Sequence, residues 1–403
     1  MSSCHISKSI ARGVVVAPPS KSYAHRILLA AFLSGKSTTI SNIELSNDIA
    51  ATINCIKALG GEVSLSDRSA TILGRESAKA NVFPCGESGS TLRFFIPVAL
   101  AKVGAARFCG TAKLFSRGIG EYEKIFAAQG ISYSLGPDFL EVKGELKSGT
   151  YRISGATSSQ YVTGLLFSLP LLGGSSEIII EPPVQSRPYI LITLDVLHSA
   201  GIKAYFEDNR INIPGGQSFD LPDSTVEGDW SNAAFLDFYN HIGGDVTVTG
   251  LNNDSLQGDR VYRQLFDRLE NGWCQIDIAD CIDLGPVLFT MAAIKHGALF
   301  TNTARLRIKE SDRIADIIAE LEKVGAGAVV NDNTVEILPV KPAQIAGLSG
   351  ITFDCHNDHR LAMSLTALAS MFGADLCGYE CVAKSFPGFF EVVKHLNIDV
   401  NNG

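Results

Sequence analysis

Nowhere in the 403 residues does an apolar run approach the roughly 20 needed to cross a bilayer. The first thirteen residues carry no apolar core of an export signal. No membrane partner and no secretion are therefore expected, and a cytoplasmic setting is. Basic residues do not predominate: the formal net charge is −8, which argues against a nucleic-acid partner but leaves room for a local cationic pocket. Of the nine cysteines, none forms a CxxC pair and none has a histidine at zinc-like spacing. Reduced thiols are expected rather than a disulfide framework or a metal centre. His25, His356 and His359 are spaced too irregularly for a metal site. There is no GxxxxGKS/T loop, and Gly86-Glu87-Ser88-Gly89 is not a GxGxxG turn between strand and helix. No cofactor and no metal are expected.

What is present is a repeat. A helical run ends at a glycine and a strand-like hairpin follows, at Gly60, Gly130, Gly201, Gly272 and Gly325, with Asn397 closing the series; the gaps are 70, 71, 71, 53 and 72 residues. Glycine or asparagine suits the left-handed cap after a helix. Alternating residues after it suit a half-buried strand. A second series marks helix starts: Lys21-Ser22, Gly89-Ser90-Thr91-Leu92-Arg93, Ser158-Ser159-Gln160, Gly228-Asp229-Trp230-Ser231, Asp283-Leu284-Gly285 and Asp358-His359-Arg360. Ser22, Thr91, Ser159 and Asp229 are separated by 69, 68 and 70 residues. Six α/β units follow, each with two helices and several strands, fitting two domains of three.

Pro18-Pro19-Ser20-Lys21-Ser22-Tyr23-Ala24-His25-Arg26 shows what the second series does. The prolines favour an extended approach. Ser20 or Ser22 can cap the helix, which is apolar on all sides after Arg26 and should be buried. Tyr23, Phe32, Phe94 and Phe95 are expected in the core. One such helix alone is accounted for by a capped terminus with solvated cations. Several at matched phase point their free N–H groups and dipoles toward a shared anion. Lys21, Arg26, Arg93, Ser158, Ser159 and Arg360 stand at these tips, and Arg117 and Lys384 lie in nearby turns. Arginine grips carboxylate or phosphate bidentately and lysine acts as a point charge. The inferred ligand is small, polyanionic and phosphorylated.

The densest polar stretch is Leu306-Arg307-Ile308-Lys309-Glu310-Ser311-Asp312-Arg313. A solvated charge run capped by Ser311 would explain it. Alternation over Leu306–Ile308 instead suggests a strand feeding a helix from Ile314 to Val324, placing the charges at a strand–helix junction where sites concentrate. Asp283 in Cys281-Ile282-Asp283-Leu284-Gly285-Pro286 is either a cap or a carboxylate whose apolar surroundings make it useful as a base.

Taken in order, these residues resemble the 5-enolpyruvylshikimate-3-phosphate synthase family over nearly the whole chain. The matching segments are Ser20-Lys21-Ser22 with Arg26, the loop Gly86 to Arg93, Ser158-Ser159-Gln160, Ser186-Arg187-Pro188-Tyr189 and Val226-Glu227-Gly228-Asp229. The two most specific are Arg307 to Arg313 and Asp358-His359-Arg360-Leu361-Ala362-Met363. The resemblance implies a two-domain, inverse α/β barrel-like enolpyruvyl transferase fold of α/β (α+β) class. It implies six βαβαββ units, with helix N-termini facing an interdomain cleft. The chain would form one discontinuous domain of residues 1–19 and 228–403 and an inserted domain of 20–227.

The implied reaction joins phosphoenolpyruvate to the 5-hydroxyl of shikimate 3-phosphate and releases phosphate, without metal or covalent adduct, in aromatic amino acid biosynthesis; glyphosate is the family's known inhibitor. By resemblance Lys21, Ser22, Arg26, Ser158, Ser159, Gln160, Ser186, Tyr189, Asp283 and Lys309 contact shikimate 3-phosphate. Lys21, Gly89, Arg117, Gln160, Arg313, His359, Arg360 and Lys384 hold phosphoenolpyruvate. Asp283 takes the hydroxyl proton, and Glu310 and Lys21 serve the methylene carbon. A monomer is expected. Gly118 replaces a usual proline after Arg117 and is expected to loosen that loop. Glu87 adds a negative charge near the phosphoenolpyruvate position, and Gly388 replaces a common acidic residue. The related transferase acting on UDP-N-acetylglucosamine carries a reactive cysteine before the position of Arg117, whereas residues 110–120 here have none. A non-catalytic anion-binding protein on the same scaffold would not need Lys21, Asp283, Glu310 and His359-Arg360 together.

Overall fold

A computed structural model describes residues 2–74, 80–345 and 347–402. The chain divides into two compact units, Met1–Pro18 with Gly228–Gly403, and Pro19–Glu227. Each has its own apolar core.

In the unit Pro19–Glu227, three four-stranded sheets share one plan: a parallel pair of strands, then an antiparallel hairpin. Val82–Gly86 lies parallel to Ala105–Gly110, followed by Phe139–Lys143 and Ser132–Leu135. Thr150–Ser154 and Ser176–Glu181 repeat this with Arg210–Ile213 and Tyr205–Glu207. In the third sheet, Ser37–Ser41 pairs with the Ser69–Leu73 hairpin on one side, and its parallel partner, Ser224–Thr225, comes from the far end of the unit. A buried helix joins the strands of two parallel pairs, Gly89–Lys102 and Gln160–Ser168, and Lys21–Leu33 leads into Ser37–Ser41 of the third. These are apolar around their whole circumference because sheets and other helices cover every side.

The other unit repeats the plan twice in full. Cys274–Asp277 and Ala298–Thr301 are joined by Thr334–Leu338 and Gly327–Val330. Ile351–Asp354 and Ala374–Cys377 are joined by the N-terminal strand Ser3–Ile6, with Val400–Asn402 outside it. The third copy is shortened. Arg12–Val16 and Asp245–Thr249 form a parallel pair only. The hairpin expected after Gly272 is absent among the described residues, because Cys274–Asp277 there opens the next sheet. That missing hairpin is the physical content of the short 53-residue gap. The inner helices here are Trp230–Asp237, Gly285–Ile294 and His359–Ala369.

The capping residues of the first series all have left-handed backbone, from Asn397 at φ 67° and Gly130 at 70° to Gly272 at 149°. A side chain there would be strained, which accounts for glycine at five of the six. Leu306–Ile308 is not a strand: residues Ala304–Ile308 form a 3₁₀ turn with only Leu306 buried. Three residues of alternation cannot distinguish a strand from a turn that buries its middle side chain.

One packing detail supports the inserted unit. Pro97 lies inside the helix Gly89–Lys102 and has no N–H for the Arg93 carbonyl. The buried Tyr122 hydroxyl donates to that carbonyl instead, at 2.6 Å. Gly164 of the neighbouring helix makes room: a Cβ there would stand 2.4 Å from both the Arg93 oxygen and the Tyr122 hydroxyl. Gly164→Ala is expected to destabilise the protein by about 1–3 kcal/mol, read as a lower denaturant midpoint at unchanged slope; an unchanged midpoint would refute this packing account.

Candidate active site

In the unit Pro19–Glu227, the polar residues gather at the first turns of the buried helices. Ser20, not Ser22, caps Lys21–Leu33, its hydroxyl accepting from the Tyr23 N–H. Lys21 Nζ lies 2.8 Å from Asp48 Oδ2. Arg26 is buried; it donates to Thr193 Oγ1 at 2.8 Å, the Ser22 carbonyl at 2.7 Å, Thr163 Oγ1 at 3.2 Å and the Tyr189 carbonyl at 3.2 Å. Burial lowers its pKa to about 10, still a cation at neutral pH. Ser22, Tyr189 and Arg26 are thus one hydrogen-bonded group.

Gln160, at the start of its helix, accepts from Arg93 Nη1 at 3.0 Å and donates to Ser90 Oγ at 2.9 Å. Its own N–H donates to Ser158 Oγ, while Ser159 is the residue preceding the helix. Ser186 precedes the helix Arg187–Ser199 with a left-handed φ of 57°. Gly89 opens its helix beneath Ser88, whose hydroxyl caps it. A Cβ on Gly89 would meet Arg93 Nη1 at 2.9 Å and Arg117 Nη1 at 3.0 Å, so both guanidinium groups pack against its bare backbone. Gly118 adopts φ 71°, which proline cannot. Its loop is nevertheless tied down: the Gly118 carbonyl accepts from Arg93 Nη2 at 3.0 Å and from the Tyr161 hydroxyl at 3.3 Å.

In the other unit, Asp283 is shared among cations. Its Oδ1 accepts from Lys309 Nζ at 3.1 Å and Arg313 Nη1 at 2.9 Å, and Arg360 Nη2 lies 3.5 Å from Oδ2. Asp283 does not cap the following helix, whose flanking residue is Leu284 with no side-chain cap. Its surroundings are cationic rather than merely apolar. Arg313 is 1% exposed and reaches Glu310 Oε2 at 2.8 Å and Asp358 Oδ2 at 2.7 Å. Burial works against its charge, but Asp358, Glu310 and Asp283 more than offset it and raise its pKa. Burial lowers that of Lys309, with Asp283 opposing. Asp312 caps the helix Arg313–Glu322 in place of Ser311. A solvated charge run is therefore excluded: Arg313 and Lys309 are held inside a network. His359 is buried in the first turn of its helix, and Lys384 Nζ donates to the Asn357 carbonyl at 2.6 Å.

Sequence reasoning passed over several members. Asp48 reads as an ordinary first-turn acid. Thr163 and Thr193, mid-helix, carry no signal beyond a polar residue in an apolar run. Asp358 marked a helix start and a family segment but carried no sign of its pairing with Arg313; it also caps its helix, accepting from the Arg360 N–H. Asp259, fully buried, accepts from the Ser231 hydroxyl, and burial followed by the charge of Asp283 pushes its pKa up to about 7. A buried acid in Gln257-Gly258-Asp259 shows no periodic pattern that would flag it.

The arrangement gives each unit a set of helix N-termini with cations packed on them, and one unit adds paired carboxylates. Comparisons with known proteins place it. A family model described as EPSP synthase (3-phosphoshikimate 1-carboxyvinyltransferase) matches residues 7–393. A 3-phosphoshikimate 1-carboxyvinyltransferase of Clostridium kluyveri is 39% identical over 414 residues, covering 96% of each chain. The one of Clostridioides difficile is 36% identical over 430 residues, covering 98% of each. Among solved structures, an EPSP synthase of Acinetobacter baumannii superposes with a TM-score of 0.80 at 22% identity over the full length of both chains. The enolpyruvyl transferase NikO of Streptomyces tendae gives 0.78 at 15% identity, covering 100% of this chain and 99% of NikO; these two bear on fold alone. With a family model spanning both units and relatives above one-third identity from end to end, the chain belongs to the EPSP synthase (3-phosphoshikimate 1-carboxyvinyltransferase) family.

Proposed function

We propose that the protein transfers the enolpyruvyl group of phosphoenolpyruvate to the 5-hydroxyl of shikimate 3-phosphate and releases phosphate. The observation that carries the chemistry is Asp283 shared by Lys309, Arg313 and Arg360, with Glu310 on the same Arg313. A hydroxyl oxygen can add to an alkene carbon only if the neighbouring carbon takes a proton, so an acid and a base must serve one small molecule. Asp283 accepts the hydroxyl proton as the new C–O bond forms. Glu310 and Lys21 deliver a proton to the methylene carbon and remove one as the phosphate C–O bond breaks. Substrate anions that take up Arg313 and Arg360 release the Asp283 oxygens for this work. The same cations stabilise charge gathering on the departing phosphate.

Ser22, Arg26, Ser158, Ser159, Gln160, Ser186, Tyr189 and Lys309 bind shikimate 3-phosphate in this reading. Lys21, Gly89, Arg117, Gln160, Arg313, His359, Arg360 and Lys384 bind phosphoenolpyruvate. The setting is a single subunit in the cytoplasm, to which the nine free thiols are suited. The described residues include no helix long and apolar enough to cross a membrane.

The test is phosphate release by purified protein. It is expected only when shikimate 3-phosphate and phosphoenolpyruvate are both supplied. No release with both, or a preference for UDP-N-acetylglucosamine as acceptor, would overturn the assignment.

A further inference from the structure

A buried hydrogen-bond chain joins the first helix of the inserted unit to the turn that carries Gly89. His25 Nδ1 is 2.7 Å from Thr52 Oγ1, and Thr52 Oγ1 is 2.8 Å from Thr91 Oγ1. The Thr91 hydroxyl donates to Ser88 Oγ at 2.7 Å, which also accepts from the Thr91 N–H. All four residues are at most 1% exposed. Each hydroxyl owns one hydrogen, which fixes the direction of the chain. Thr91 spends its hydrogen on Ser88, so Thr52 must donate to Thr91, and the imidazole must donate from Nδ1. His25 Nε2 is then a bare lone pair, and it has no hydrogen-bond partner among the described residues. The edge-on Phe94 ring stands 6.2 Å from the imidazole. Burial, then the charges of Lys21 and Arg26, hold the ring neutral by keeping its pKa well below the usual value.

The chain is the lower rung of a ladder. Lys21 and His25 are one turn apart on the helix Lys21–Leu33, and Asp48 and Thr52 are one turn apart on Asn47–Ala58. Lys21–Asp48 is the upper rung at 2.8 Å. His25–Thr52 is the lower, and it continues to Thr91 and the cap Ser88. No part of the proposed chemistry uses His25, yet its one donor begins the chain that ends at the cap of the Gly89 helix.

We propose that His25 is a positioning residue for phosphoenolpyruvate, holding the Ser88–Gly89 turn in register with Lys21 through Thr52 and Thr91. This rests on the assignment of Lys21 and Gly89 to that substrate. Misplacement of a binding group by an ångström can cost about 10²-fold. His25→Leu is therefore expected to raise KM for phosphoenolpyruvate by about 10- to 100-fold and to leave KM for shikimate 3-phosphate within about threefold. His25→Asn, which keeps a donor, should recover most of the loss. The double variant His25→Leu/Thr91→Val should be no worse than the worse single one, since both cut the same chain. Unchanged KM for phosphoenolpyruvate in His25→Leu, an equal rise for both substrates, or additive losses in the double variant would overturn the proposal.

A readout independent of turnover, and available if His25→Leu does not fold, is the nitrogen-15 spectrum of imidazole-labelled wild-type protein. A proton on Nδ1 and none on Nε2 is expected. An Nε2–H or doubly protonated ring would overturn the network even if carboxyvinyl transfer is observed. Wild-type protein with the expected tautomer but no phosphate release would overturn the assigned reaction, and the positioning role with it, while the network stands.

Discussion

Lys21→Ala is expected to lower kcat/KM by about four orders of magnitude while the protein stays folded. The two parts of that expectation have separate grounds. The helix that begins at Lys21 is capped by the Ser20 hydroxyl and anchored by the buried run Ile27 to Leu33, neither of which needs the lysine. Asp48, 14% exposed, keeps contact with water when the lysine is removed, so its charge is not sealed in the core. The catalytic loss is larger because one ammonium group serves twice. As a cation it binds phosphoenolpyruvate and offsets charge on the departing phosphate; as an acid it can exchange a proton with the methylene carbon. Lys21→Arg separates the two. Arginine keeps the charge but does not release its proton, so a variant that binds normally and turns over slowly assigns proton transfer to Lys21. Full turnover in Lys21→Arg would confine Lys21 to binding, and near-normal turnover in Lys21→Ala would remove it from the site altogether. The measurements are single-turnover rates with both substrates and a thermal melt of each variant.

The second large effect is expected at Glu310. Glu310→Ala removes a candidate proton-transfer group and one of three carboxylates on Arg313, and should cost about 10²–10⁴ in kcat. The fold should survive, because Arg313 keeps Asp358 and Asp283. Glu310→Gln retains a hydrogen-bond acceptor for Arg313 Nη2, which Glu310 Oε2 meets at 2.8 Å, but cannot pass a proton. A glutamine variant as slow as the alanine variant places the role in proton transfer. Recovery in glutamine would place it in holding Arg313. Asp358→Ala is the contrast: Arg313 and Asp358 are almost wholly buried, and opening such a pair costs about 3–5 kcal/mol, so that variant is expected to lose stability as well as turnover.

The helix starts were legible because their causes are local. A cap, a polar first turn and an apolar run on every face can be read within fifteen residues, and Lys21–Leu33 and His359–Ala369 obey that reading. Where local signals were short or redundant, they misled. Leu306–Ile308 offered three alternating residues and became a 3₁₀ turn. Ser311 and Asp312 are both capping residues, and Asp312 took the role because its carboxylate reaches the N–H groups of Ile314 and Ala315. The hairpin after Gly272 failed for another reason: the glycine cap does specify the end of the helix, but whether a hairpin or the next sheet follows depends on the residues beyond it.

The site divides the same way. Lys309, Glu310 and Arg313 stand together in the chain, so their clustering is legible from neighbours, although the strand expected to feed them is the 3₁₀ turn Ala304–Ile308. Asp283 meets Lys309 from 26 residues away and Arg313 from 30. Lys21 meets Asp48 across 27, and Arg26 reaches Thr193 across 167. No spacing rule connects such pairs, because a charge responds to distance in space and to the loss of water around it, not to separation along the chain. The six-unit phase, the buried helices with cationic tips and the class of ligand were properties of the sequence by itself, since they follow from periodicity and side-chain chemistry. The tertiary structure decided which carboxylate answers which cation, and which hydroxyl holds which turn. It also decided that His25, one more polar residue in a buried helix, meets Thr52 in a chain that ends at Ser88.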